Sequence, residues 1–134
     1  MSVIKSNRAE SEMECIYNAR ELELFTLRKC SSFPKSFLFL KTESIAKLAV
    51  SIHSHVKQAN SIYPLNQEEV QKRRNHLIDA NAELNDLIGA LEVAQELFGI
   101  NMSVMKSWSQ LIEKEIRLVK AVMKKDRERY KDLP

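Results

Sequence analysis

Val70, Leu77, Leu84, Leu91 and Phe98 recur at strict seven-residue intervals. Seven residues is close to two helical turns, so the five side chains line one side of a single long helix. Leu87 and Ile88 widen that stripe, and Ala80 and Ala94 leave room for a neighbouring helix to approach. A second segment repeats the spacing with Leu38, Ile45, Ile52 and Ala59, flanked by Leu48, Ala49 and Val56. Such a chain must pack helices side by side. With only two glycines and three prolines among 134 residues, it lacks the turn residues that hairpins require.

Punctuation divides the chain into four predicted helices, at about 9–31, 34–62, 67–98 and 102–130, after a mobile polar arm over 1–9 and before a tail at 131–134. Ser31-Ser32-Phe33-Pro34 is a break followed by a helix start, because proline is tolerated in a first turn. Tyr63-Pro64-Leu65 ends the second helix. Asn66 and Glu69 have capping-box spacing for the third, Gly99 suits its C-terminal cap, and Asn101 or Ser103 caps the fourth. Four helices with short links predict an all-α, antiparallel four-helix bundle, a rod about 30–45 Å long, in one domain. On the first helix Met13, Ile16, Tyr17, Leu24 and Leu27 make one apolar face, with Arg20 in its middle in need of a partner or a route to the rim. Leu22 and Phe25 point the opposite way, with Cys15 beside them, and are expected to make a homo-oligomer contact.

Catalytic and metal-binding patterns are missing. His53 and His55, two apart on a helix, point to different sides and cannot share a metal. His76 falls on the largely polar side of the third helix. No Glu-x-x-His, Cys-x-x-Cys, phosphate-binding glycine loop or Gly-x-Ser-x-Gly is present. A non-enzyme with no metal or cofactor is expected. Asn81 lies within the stripe of the third helix, where a buried asparagine can set register. Cys15 and Cys30 are roughly 22 Å apart along one rigid helix, too far to bridge, and free thiols fit a cytoplasmic protein. No export signal or membrane-length apolar run is found, so no membrane association is expected.

Charge is the informative remainder. The net +3 is too small to identify a partner, but its distribution is polarised. Between Lys114 and Lys131 eight cations face three acids, a local +5, whereas Gln67 to Phe98 carries a local −4. At 100° per residue Lys114, Arg117, Lys120, Lys124, Arg127 and Lys131 share one side of the fourth helix. Trp108, Leu111, Ile112, Ile116, Leu118, Val119 and Met123 take the other. Two readings fit: a solvated face paired with an acidic helix, or a surface holding nucleic-acid phosphates without base specificity. Arg73 and Arg74 make a weaker second basic patch. The aromatic residues form no ladder between the cations, so a base-stacking single-strand platform is not indicated.

Phe33-Pro34-Lys35 at the head of the second helix and Ala49-Val50-Ser51-Ile52 within it resemble a bacterial four-helix-bundle family. That family holds proteins encoded in intervening sequences of large-subunit ribosomal RNA genes and the accessory variability determinant (Avd) proteins of diversity-generating retroelements. After Ser51-Ile52 the ribosomal relatives tend to continue Asn-Ile-Ala-Glu-Gly. Here His53-Ser54-His55-Val56-Lys57 follows, which favours the Avd branch. The resemblance implies a homopentamer that binds a reverse transcriptase and its template RNA or cDNA and supports mutagenic copying. The alternative is a helical protein–protein adaptor of the ribosomal branch with no nucleic-acid role.

Overall fold

Hydrophobic period and caps translate into four long helices. The structure, a computed structural model, describes residues 2–134, with side chains from residue 12 onward. The arm expected over 1–9 lies outside the described side chains. Helix α1 spans Ser2–Cys30. A 3-10 turn, Lys35–Phe37, and a π turn, Leu38–Thr42, lead into α2, Glu43–Ser61; α3 spans Gln67–Phe98 and α4 spans Met102–Arg129. No strand occurs among the described residues. α2 and α4 each pack against both α1 and α3, which makes a helical bundle.

Leu77, Leu84 and Leu91 of the α3 stripe are buried, as are Ala80 and Ala94, while Val70 and Phe98 close the stripe half-buried at its ends. On α2 Ile45, Ile52 and Ala59 are buried with Ala49 and Val56. Leu38 breaks that pattern and is exposed. It sits in the π turn, whose wider step rotates the preceding residues out of phase with α2. Asn66 accepts from the Glu69 amide at 2.9 Å while the Glu69 carboxylate accepts from the Leu65 amide at 2.7 Å, so both groups cap the start of α3. Gly99 ends α3 with φ 74°, a left-handed conformation costly for other residues. Asn101 caps α4, accepting from the Ser103 amide at 2.8 Å. Asn81 makes no register-setting bond: its Oδ1 is buried with no hydrogen-bond partner among the described residues.

The orientation of α1 is the main correction. Leu22 is fully buried (0% exposed), and Phe25 is half-buried with its ring edge-on to Trp108 at 5.4 Å, so neither is placed for a subunit contact. Cys15, Ala19 and Thr26 are buried with them, and Thr26 accepts from the Trp108 indole at 2.9 Å. Most of the side expected to be core turns outward: Met13 is 66% exposed, Tyr17 60% and Leu27 40%, while Leu24 is half-buried and Ile16 alone of the five packs against the core. Arg20 was the clue. An arginine amid five apolar residues is satisfied on an outer face, and its guanidinium is exposed, 3.3 Å from Glu21.

Candidate nucleic-acid interface

α4 presents its core and its charge to opposite sides. Trp108, Ile112, Val119 and Val122 are buried. Arg117, Lys120, Lys124, Arg127 and Lys131 are exposed. Arg117, Lys120, Lys124 and Arg127 have no acidic partner among the described residues, so their charge is directed to solvent. At 1.5 Å per residue the row from Arg117 to Arg127 covers about 15 Å of α4, and Lys131 follows in the turn after the helix. Its two ends are moderated. Lys131 lies 3.6 Å from Glu128, and Lys114 is half-exposed at the α1 edge, 3.7 Å from Glu14. Lys114 therefore belongs to the α1–α4 seam more than to the open row.

The second basic patch does not exist as expected, because its two arginines part company. Arg73 is 2% exposed. Its Nε donates to Asp126 Oδ2 at 2.6 Å and its Nη2 to Asp126 Oδ1 at 3.2 Å and Glu12 Oε1 at 3.1 Å. Nη1 donates to the carbonyls of Ala59 at 3.0 Å and Ile62 at 3.3 Å. One guanidinium thus joins α3 to α1, to α4 and to the C-terminal end of α2, where it adds a second donor to the Ala59 carbonyl, which also accepts from the Ile62 amide at 3.2 Å, and reaches the Ile62 carbonyl beyond. Arg129 completes the cluster through Glu12 and Asp126, and the Tyr130 ring lies 4.9 Å from its guanidinium. Burial opposes the charge on Arg73. The hydrogen bonds and charge of Asp126, with Tyr130 and Glu12, outweigh burial and hold its pKa above the ordinary value. Arg74, one residue on, is half-buried and lines a groove of ≈ 390 Å³ between α3 and α4, together with Val70, Leu77, Met123, Arg127, Tyr130 and Lys131.

Glu115, expected as one acid among cations, is fully buried in the α1–α4 seam. Asn18 donates to its Oε1 at 2.9 Å and the Cys15 thiol to its Oε2 at 3.2 Å, and Asn18 also donates to the Leu111 carbonyl at 3.1 Å. Burial raises its pKa to about 7 against the lowering pull of Asn18, Cys15 and Lys114. Burial, then Glu115, pushes the Cys15 thiol far up, and burial pushes Cys30 up to about 11, so neither is a ready nucleophile. Glu115, Asp126 and Arg73 were legible in one respect: 115 and 126 fall in register with Ile112, Val119 and Val122, and 73 falls between Val70 and Leu77. Their partners come from other helices and left no local signal.

The histidines are held by neighbours. His53 Nδ1 lies 2.8 Å from Glu23 of α1, and His55 Nδ1 lies 3.1 Å from His76 Nδ1. His53 and His55 thus face different helices, but His76 faces α2 and is half-buried instead of lying on an open polar side. Ser51 donates to Glu83 at 2.7 Å beside this pair. Among the described residues no group of three or more His, Cys, Asp or Glu side chains is arranged to hold a metal ion, and no helix is long and apolar enough to cross a membrane. Comparison with family profiles, with curated proteins and with solved structures returned no match for this chain.

Proposed function

We propose that this protein is a non-enzymatic, antiparallel four-helix bundle that holds nucleic acid by its phosphates along α4. The observation that carries the reading is the row Arg117, Lys120, Lys124 and Arg127, exposed and without acidic partners among the described residues. Aligned cations bind phosphate polymers by releasing condensed counterions, so four contacts give a slope of about −3 in log K against log salt. Fluorescence anisotropy of a structured RNA across a salt series measures it. Binding is expected to be tight at low salt, to weaken with that slope, and to be lost in an Arg117→Glu, Lys124→Glu, Arg127→Glu variant that keeps its helical circular dichroism. Absence of binding at low salt, or indifference to the charge reversal, would overturn the reading and give the basic face to an acidic protein surface, the adaptor alternative.

In its fuller form the partner is the reverse transcriptase of a diversity-generating retroelement, copying a template RNA in the cytoplasm. Support for that part is the resemblance through Phe33-Pro34-Lys35 and Ala49-Val50-Ser51-Ile52. The test is co-purification of the two proteins with RNA at moderate salt.

The same reading includes a homo-oligomer, and the outward face of α1 supports it better than the residues first expected. Met13, Tyr17 and Leu27 lie at helical spacing on one side, over about 21 Å of helix, with half-buried Leu24 between them. A Tyr17→Glu, Leu27→Glu variant is expected to run at the monomer mass by light scattering while the wild type runs at a multiple of it. The exposed sites predict little loss of fold. A wild-type monomer, or an unchanged mass in the variant, would remove this surface from consideration.

A further inference from the structure

We infer that the groove between α3 and α4 receives one unpaired nucleobase of a strand whose phosphates lie along α4; the inference rests on the phosphate-holding reading above. The groove encloses ≈ 390 Å³, within the usual range of roughly 300–1,000 Å³ for small-ligand sites. Val70 and Met123, both half-buried, supply apolar surface, and the Tyr130 ring, with the guanidinium groups of Arg129 at 4.9 Å and Arg73 at 5.9 Å, supplies an aromatic wall. Arg74 of α3, Arg127 of α4 and Lys131 in the turn after α4 supply three cations. Asp126 also lines the groove, but its carboxylate is committed to Arg73 at 2.6 Å and to Arg129 at 3.1 Å, which offsets its charge.

A bare phosphate would leave the apolar surface wet, and a purely apolar guest would strand the cations. The guest that satisfies both is flat, largely apolar and attached to an anion, which describes a nucleotide. Arg127 and Lys131 belong both to the groove and to the exposed row, so a strand following the row passes the groove. One pocket beside a row of cations differs from a ladder of stacking aromatics: it selects a single base and leaves its neighbours free. A base inside a duplex is paired and stacked and must be extruded before it can enter. The groove therefore discriminates by strandedness.

Two RNAs of equal phosphate number, one unpaired and one fully paired, are compared by anisotropy. The wild type is expected to bind the unpaired strand about tenfold more tightly, the scale of one base–aromatic contact. Charge density alone favours the duplex, so this preference runs against the electrostatic trend. Gln71 is exposed and lines the groove. Gln71→Trp fills the groove while leaving every cation of the row in place, and is expected to abolish the preference with duplex still held by the row; Gln71→Ala is expected to keep it. Equal binding of the two RNAs by the wild type, or a preference that survives Gln71→Trp, overturns the inference. Titration with uridine monophosphate beside inorganic phosphate, followed by calorimetry, separates the two failures. If no RNA binds but the nucleotide does, and Gln71→Trp removes it, the α4 reading falls and the groove stands as a nucleotide site. If neither binds, both fall.

Discussion

Arg73→Ala is expected to cost the fold about 3–5 kcal/mol, the loss associated with removing one partner of a buried ion pair. The penalty has two sources. Glu12 and Asp126 would share only Arg129 in a seam where Asp126 is nearly inaccessible, and the Ile62 carbonyl would lose the Arg73 donor while that of Ala59 would keep only the Ile62 amide. Lysine is expected to rescue little, because a single ammonium cannot reproduce the forked contacts to Asp126 and at the same time reach the end of α2. Urea unfolding followed by far-ultraviolet circular dichroism measures the loss. Arg74→Ala is the internal comparison: next in the chain, half-buried and outside the ion cluster, it should cost under about 1 kcal/mol. Equal losses for the two would show that the cluster does not hold the helices together. An Arg73→Met, Asp126→Leu double variant should recover part of the single-variant loss, because a buried ion pair replaced as a unit by apolar groups is far less damaging than a pair broken in half.

Glu115→Gln should stabilise the protein at pH 8 and have little effect near pH 4.5. The sign follows from the direction of the pKa shift. The folded protein holds the Glu115 proton up to about pH 7, whereas the unfolded chain releases it near the ordinary 4.5, so the native state binds more protons between those limits. Stability from this group is therefore full below about pH 4.5 and falls as pH rises through 7. The span corresponds to about 3 kcal/mol at 1.36 kcal/mol per unit. Glutamine keeps an oxygen to accept from Asn18 and adds an amide directed at Cys15, without a charge to bury. The readout is the difference between variant and wild type in unfolding free energy at the two pH values, which cancels titrations they share. A difference of the same size at both would mean that Glu115 does not carry a proton in the fold at neutrality.

These two groups also mark the limit of local reading. The seven-residue stripe of α3, the alternation of α4 into core and basic sides, and the caps at Asn66, Gly99 and Asn101 depend on residues three to seven apart, and each was legible before any tertiary contact was known. The row Arg117, Lys120, Lys124 and Arg127 was legible for the same reason, since a helix places such residues on one side whatever packs against the other. Arg73 was different. Its position in the α3 stripe was visible, but its charge was read as surface, because Glu12 and Asp126, the acids that make its burial tolerable, are 61 and 53 residues away along the chain.

α1 states the division most clearly. It carries apolar residues on both sides, with Cys15, Leu22 and Phe25 against Met13, Tyr17, Leu24 and Leu27, so its hydrophobic pattern nearly cancels and gives no preferred direction. The four helices, the caps of α3 and α4 and the core sides of those two were decided by the sequence because hydrogen bonding and side-chain period in a helix are local, whereas the second helix, expected from 34, begins as α2 only at Glu43 after the 3-10 and π turns. Which side of α1 is buried was decided only by the tertiary structure. The choice depends on what the neighbouring helices offer: Trp108 for Phe25 and Thr26, and Glu115 for Cys15 and Asn18.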